Sequence, residues 1–180
     1  AEFVTNHDYL DAWSAETCVD LLSMAHAHLD SDHAKFAAVD QLLKAMRVYD
    51  RVLAVAGVDF KHWRSVKEAV DVAPANLVRK LVEQDEFDIA RAVLAHCHGR
   101  GDVDGLSVLV DEAQLFDLLT RRNRPAKALR LLESMGADAL DCLDSLWRRV
   151  PEYRTKQLIM DFLLRKKGHL LSEDQRKRYA

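Results

Sequence analysis

Long apolar runs are missing from this 180-residue chain, and glycine and proline are scarce. No run approaches the 18 or more residues that a membrane-spanning helix needs, and no basic stretch followed by an apolar one opens the chain. We therefore predict neither a membrane span nor a targeting signal. The three prolines, Pro74, Pro125 and Pro151, stand where one apolar periodic run gives way to the next. Proline favours the first turn of a helix, so these positions indicate helix boundaries.

Cysteine is also rare, with three in the whole chain, Cys18, Cys97 and Cys142. An odd number of widely spaced cysteines, each on or near a predicted apolar helix face, is typical of small core residues in a reducing compartment. We expect three unpaired thiols and a cytoplasmic location.

Hydrophobic residues make up 49% of the chain and recur at steps of three and four, the period of a helix buried on one face. No stretch alternates at period two. The pattern predicts an all-α fold of about nine or ten helices, arranged as an irregular, α-solenoid-like array of helical hairpins. We expect a single helical domain over residues 1–180, with a long hairpin at 1–57 and shorter hairpins at 58–180, as a fragment of a larger protein.

The first helix is predicted from about Asp8 to Leu29, with one wide apolar stripe. Its predicted members are Leu10, Trp13, Thr17, Leu21, Met24, Ala25 and His28. The three tryptophans, Trp13, Trp63 and Trp147, all lie on such stripes, and we interpret them as core anchors.

An internal repeat is indicated at an offset of 38 residues, where segment 77–97 aligns with segment 115–135. The alignment pairs leucines with leucines, Ala90 with Ala128, and a helix break at Asp85 with one at Asn123. Helix, break, small residue and leucine in the same order are what two copies of one helix-turn-helix unit would show. The two alanines are the expected points of close helix approach.

No pattern of catalytic or cofactor-binding residues emerges from the sequence. There is no Gly-x-Ser-x-Gly, no phosphate-binding glycine loop and no dinucleotide fingerprint. The densest metal-capable run is His96-Cys97-His98, but consecutive helical residues point about 100° apart and so do not converge on one ion. We predict a protein that is not an enzyme, with no cofactor, no metal site and no small-molecule substrate.

Charge is distributed unevenly, since residues 111–180 carry 15 Lys and Arg against 11 Asp and Glu, while the chain as a whole has a net charge of −3. Basic clusters stand at ends of predicted helices, where the helix dipole favours cations. If the hairpins stack in parallel, two of these ends form one basic rim able to bind a partner. The predicted rim comprises Arg121, Arg122, Arg124, Arg165, Lys166 and Lys167. Other proteins are its expected partners, an anionic membrane surface is a second candidate, and nucleic acid is disfavoured because stacking aromatics are not interleaved with the charges.

The stretch from Leu77 to Arg91, followed by the hairpin at Leu115–Met135, resembles the irregular α-solenoids of large membrane-trafficking scaffolds. It is similar in style to spastizin, spatacsin and clathrin-heavy-chain-like vesicle tethers, in which leucines, an acidic break, an aromatic residue and Ala-Arg recur. The resemblance covers about 60 residues and implies a cytosolic scaffold at endosomal or lysosomal membranes that acts by holding other proteins. It implies no functional residue.

Two functional hypotheses follow. The first is a non-enzymatic protein–protein interaction or scaffolding segment of a larger helical-repeat protein in membrane trafficking. The alternative is a self-contained helical adaptor or nucleic-acid-binding domain that uses the basic C-terminal half.

Overall fold

The computed structural model describes residues 10–55, 58–136, 138–150, 153–166 and 172–179. Over these residues it contains helices and turns and no strand, so the predicted all-α fold with about nine or ten helices is confirmed. The helices are α1 (Ala15–His28), α2 (Phe36–Leu53), α3 (Trp63–Val72), α4 (Pro74–Glu83), α5 (Phe87–His96), α6 (Leu106–Phe116), α7 (Pro125–Ser134), α8 (Asp138–Arg149), α9 (Tyr153–Lys166) and α10 (Glu173–Tyr179). Pro74 and Pro125 are the first residues of α4 and α7, as the sequence predicts, while Pro151 lies outside the described residues.

The chain divides into two compact units, residues 1–106 and residues 107–180. Whether both belong to the single domain that the sequence suggests stays a prediction. Across the described residues, no helix combines the length and the apolar character that crossing a bilayer requires.

Helices α1 and α2 pack against each other and form the first hairpin of unit 1. Ser14 begins α1, and its Oγ accepts a hydrogen bond from the backbone N–H of Thr17 at 3.2 Å, which satisfies one of the unpaired N–H groups at the helix start. The side chains that α1 buries are Ala15, Cys18 and Leu22.

The prediction of which side of α1 is buried was therefore wrong. Trp13, Leu21 and Met24 are 48%, 38% and 62% exposed. Apolar residues occupy both sides of this helix, so periodicity alone does not decide which side the neighbouring helix covers. The expectation that Trp13 is a core anchor is wrong for the same reason, whereas Trp63 is 2% exposed and confirms it.

Helix α3 closes on the first hairpin through Trp63. The Trp63 ring stacks on Tyr49 of α2 with centroids 6.4 Å apart, and its indole N–H donates to the Trp13 carbonyl oxygen at 3.2 Å. At the other end of α3, the Arg100 guanidinium donates to the carbonyl oxygens of Val70 and Asp71, both at 2.9 Å. A cation at this end satisfies carbonyls that have no partner within the helix and complements the helix dipole.

The 38-residue correspondence reappears in the local backbone. Among described residues other than glycine, Asp85 and Asn123 have positive φ angles, 60° and 46°. Helix α5 spans Phe87–His96 and α7 spans Pro125–Ser134, so both boundaries differ by 38. The residue before each helix has the same unusual conformation, φ −91° and ψ 58° at Glu86 against φ −114° and ψ 65° at Arg124. Ala90 and Ala128 are both fully buried, as the repeat requires.

The two hairpins differ in how the first helix ends. Helix α4 ends at Glu83 in regular α geometry, whereas α6 continues through a π-helical turn at Asp117–Arg121. In that turn the Arg122 N–H bonds the Asp117 carbonyl oxygen at 2.9 Å, a span of five residues. The aligned segments have the same length before the left-handed residue in both hairpins, so the π turn changes the helix geometry and leaves the 38-residue offset unchanged.

Unit 2 is built around leucines of α6, α7, α8 and α9. Its buried members are Leu115, Leu118, Leu119, Ala128, Leu132, Met135, Ala139, Cys142, Leu143, Leu146, Ile159, Phe162 and Leu163. At one edge, Glu112 of α6 accepts hydrogen bonds from Ser145 at 2.6 Å and Arg149 at 2.8 Å, both on α8, and the Arg149 guanidinium lies 5.1 Å from the Phe116 ring. All three cysteines are buried and unpaired, which confirms the prediction of three unpaired thiols.

Candidate partner-binding surfaces

The residues of the predicted basic rim fall at two helix ends of unit 2. Arg121 ends the π turn, Arg122 and Arg124 follow it, and Arg165 lies in the last turn of α9. All four of these side chains are exposed. Lys167 and the side chain of Lys166 lie outside what the structure describes.

Arg122 does not behave as a simple solvent-facing cation. Its Nε lies 2.6 Å from Oδ2 of Asp117, a carboxylate that is only 6% exposed. A buried carboxylate needs a partner, because its removal from water costs free energy. Arg122 therefore stabilises the π turn from which it projects.

Other basic side chains of unit 2 also contact carboxylates. Arg148 pairs with Asp144 at 2.8 Å, and Arg165 lies 3.9 Å from Asp161. Both pairs span one turn of a single helix and their arginines are exposed, so each contributes little to stability. They nevertheless lower the positive charge that the C-terminal half presents.

In the structure, Asn123 lies near the beginning of α9. A cavity of about 290 Å³ is lined by both Asn123 and Arg154. Arg165 stands eleven residues beyond Arg154 on the same helix, which corresponds to about 16 Å at 1.5 Å per residue. A single rim that joins Arg121–Arg124 to Arg165 stays a prediction, whereas Arg154, which the sequence did not single out, lies beside Asn123.

The metal-capable run His96-Cys97-His98 is divided between different surroundings. Cys97 is buried at the end of α5, His98 is exposed in the following turn, and His96 Nε2 lies 3.5 Å from the Tyr49 hydroxyl of α2. Within the described ranges there is no group of three or more His, Cys, Asp or Glu side chains placed to hold an ion. The absence of a metal site remains a prediction.

His96 lies instead where two open cavities of unit 1 meet. One, of about 370 Å³, lies between α2 and α3, and the other, of about 580 Å³, lies between α2 and α5. Both are lined by His96 and by Gln41, and we call these two neighbouring cavities together the α2 groove.

The α2 groove was missed at the level of sequence, although a signal for it exists. In the sequence, Ala38 and Leu42 recur at helical spacing with Ala45, Met46 and Tyr49 and so belong to one apolar stripe of α2. The structure buries Ala45, Met46 and Tyr49 but leaves Ala38 exposed and Leu42 partly exposed, and all five line the groove. An apolar stripe wider than the core that covers it produces such a surface.

Burial shifts the acidities of the two polar groups at the centre of the groove. Burial of the Tyr49 hydroxyl raises its pKa to about 12, and the Asp71 carboxylate adds to this effect. Burial lowers the pKa of His96, which Asp71 partly opposes. Both shifts favour the neutral forms of these two side chains.

The uncovered face of α1 is the second apolar surface of unit 1. It comprises Leu21 and Met24, which we call the α1 outer face, while the exposed Trp13 precedes the helix. Helix α1 packs on α2 through its opposite side. A helix that is apolar on both sides is typical of the interior of a larger helical assembly.

Comparisons with known proteins identify no family. No protein-family model and no solved structure matches the chain. Protein DDB_G0276689 of Dictyostelium discoideum is 29% identical over 139 residues, which are 76% of this chain but 5% of that protein. The p53 and DNA damage-regulated protein 1 of Bos taurus is 38% identical over 55 residues, 29% of this chain and 41% of that protein. The chain thus spans about a twentieth of the first relative and less than half of the second.

Proposed function

We propose that this chain is a non-enzymatic scaffolding segment of a larger helical-repeat protein, and that it binds other proteins in membrane trafficking. The proposal includes an α-solenoid arrangement of the hairpins. It also includes a cytoplasmic location with peripheral association at endosomal or lysosomal membranes, as the resemblance to trafficking scaffolds implies.

The repeated hairpin carries the proposal. Two helix-turn-helix units share left-handed breaks at Asp85 and Asn123, second helices of equal length, and fully buried alanines at the same register. A left-handed residue other than glycine costs free energy, so two of them at one spacing indicate a common unit. Units of this kind bury their apolar surfaces by stacking on neighbours, which is the architecture of helical scaffolds.

Two further observations support a segment within a longer array. The α1 outer face leaves two large apolar side chains exposed, as a helix does when its neighbour is a further helical unit. The Dictyostelium relative contains its matching stretch within a protein many times longer.

The alternative, an adaptor or nucleic-acid-binding domain that uses the basic half, receives less support. Arg122, Arg148, Arg149 and Arg165 each contact a carboxylate. Phosphate binding depends on cations whose charge is not already neutralised. The pairing of these arginines with carboxylates therefore favours the scaffold hypothesis over nucleic-acid binding.

The test is affinity capture from cell lysate with this chain as bait, compared with a Leu21→Glu, Met24→Glu double variant. Both changes are on the exposed side of α1, so folding is retained and circular dichroism verifies it. We expect proteins of trafficking membranes to be captured by the parent chain and lost from the variant. Capture that disappears on nuclease treatment would support the alternative, and identical captured proteins with both baits would exclude the α1 outer face.

A further inference from the structure

The α2 groove has the dimensions of a binding site for a helix. The cavity between α2 and α5, of about 580 Å³, is open and follows α2 from Gln41 to Val48, seven residues and therefore about 10 Å, or two helical turns. The cavity of about 370 Å³ lies on a different side of α2 and shares Gln41 and His96 with it. An elongated trough between helices accommodates a further helix by the same ridge-and-groove packing that joins helices inside a protein.

The floor of the groove is apolar and its walls are shallow. Leu42, Val48 and Ala92 are partly exposed in it, and Ala95 is exposed. These features fit the apolar face of an amphipathic helix, whose anchors recur at three- and four-residue steps.

The charged side chains that line the groove are basic, and two carboxylates, Asp40 and Asp71, lie beside it. Lys44, Arg47 and Lys67 line it, and no carboxylate does so among the described residues. Lys44 pairs with Asp40 at 2.6 Å and Lys67 pairs with Asp71, in each case a residue one turn away on the same helix. Arg47 forms no ion pair within the described part of the chain and is exposed. The unbalanced charge is thus positive, which is complementary to an acidic occupant.

We propose that the α2 groove binds an acidic amphipathic helix of a partner protein in its cavity between α2 and α5, with apolar anchors over Val48, Ala92 and Ala95 and carboxylates toward Arg47 and Lys44. This inference names the class of partner for the scaffold and so rests on the proposed function.

The experiment uses the full chain and a fluorescein-labelled peptide with leucines at i, i+4, i+7 and i+11 and glutamates at the flanking positions. Fluorescence anisotropy measures the dissociation constant. Two peptides serve as controls, one with the same composition in scrambled order and one with lysine in place of glutamate. Vesicles of phosphatidylcholine with phosphatidylserine test whether an anionic lipid surface is bound instead.

Three variants locate the site. Arg47→Glu places a carboxylate beside those of the peptide and should weaken binding roughly tenfold, with a weaker dependence on salt. Ala95→Leu fills the cavity between α2 and α5 from an exposed position and should also weaken binding while the fold persists. Lys80→Glu is the matched control, because Lys80 is exposed on α4 and lines neither cavity.

The expected result is micromolar binding of the acidic peptide, much weaker binding of both control peptides, and losses with Arg47→Glu and Ala95→Leu but not with Lys80→Glu. Equal binding by Arg47→Glu and the parent chain overturns the proposal, as does binding of vesicles in place of the peptide. If the peptide fails while lysate capture through the α1 outer face succeeds, the groove is rejected and the scaffold stands. If capture fails while the peptide binds, the scaffold is rejected and the groove stands as a peptide site.

Discussion

Replacement of Ala128 by leucine tests the repeated hairpin at its tightest point. Ala128 is fully buried in the first turn of α7, where its backbone N–H bonds the Arg124 carbonyl oxygen at 3.1 Å. Helix α7 begins two residues after the left-handed residue Asn123, and this backbone turn sets the direction in which the helix starts. A larger side chain at this position has to displace the leucines of unit 2.

The expected cost follows from the balance of burial and overpacking. Leucine adds three carbon atoms, and burial of each methylene is worth about 0.8 kcal/mol if it finds space. None of the described cavities is lined by Ala128. Overpacking therefore dominates, and we expect a net loss of about 1–3 kcal/mol in the free energy of unfolding. For a chain of this size that corresponds to about 2–4 °C in Tm for each kcal/mol.

Thermal unfolding followed by far-ultraviolet circular dichroism measures the change. Ala126→Leu is the matched control, because Ala126 is two residues away on the same helix and exposed, and its replacement should stay within about 0.5 kcal/mol. Ala90→Leu at the equivalent position of α5 should behave as Ala128→Leu does. Equal Tm values for Ala128→Leu and Ala126→Leu would refute the reasoning, since the alanine would then not be a point of close approach.

Three other outcomes are expected. Arg122→Ala should cost about 1–3 kcal/mol in urea unfolding, because it leaves the buried Asp117 carboxylate without its cation, whereas the exposed Lys127→Ala should be nearly neutral; equal midpoints would contradict the role of this pair. The three thiols should resist alkylation in the native chain and all react after denaturation, with Cys142 the least reactive because burial raises its pKa to about 12, and mass spectrometry counts the modified sites. Stability should fall between pH 10 and pH 12, since an unfolded tyrosine loses its proton near pH 10 while Tyr49 in the fold keeps it until about 12; Tyr49→Phe should reduce that fall, and an unchanged pH profile would count against it.

The sequence was sufficient for helices whose ends are marked by strong local signals. Pro74 and Pro125 start helices, and the break expected between two leucine-rich segments lies at Asp85 and Asn123, where the backbone is left-handed. Aspartate and asparagine tolerate this conformation better than other residues with a β-carbon, which is why a sequence reveals such turns.

Helix starts without such signals were harder to predict. By residue type, Ser31 and Asp32 are candidate caps for α2, but the helix begins at Phe36, after His33 Nδ1 accepts a hydrogen bond from the Lys35 N–H at 3.1 Å. Asp59 is likewise a candidate cap for α3, but that helix begins at Trp63 with His62 as its cap. In both places a local side-chain contact replaces the expected cap, and composition does not reveal which of several polar residues makes it.

The candidate sites depend on contacts that sequence spacing does not contain. The basic clusters were visible as runs of arginine, but the pairing of Arg149 with Glu112 joins residues on two different helices of unit 2. The α2 groove likewise depends on how far α3 and α5 lie over the stripe of α2. Periodicity gives the width of an apolar stripe, whereas tertiary packing decides how much of it is covered.

The placement of the tryptophans gives each compact unit its own optical reporter. Trp63 is enclosed against Tyr49 in unit 1 and should emit at short wavelength, whereas the exposed Trp13 should emit at long wavelength and be quenched by iodide. Trp147 lies in unit 2, with the Lys156 ammonium 5.4 Å from its ring centre. In a chain with phenylalanine at positions 13 and 63, the remaining indole would report the unfolding of residues 107–180 alone, so the order in which the two units unfold can be timed without any added label.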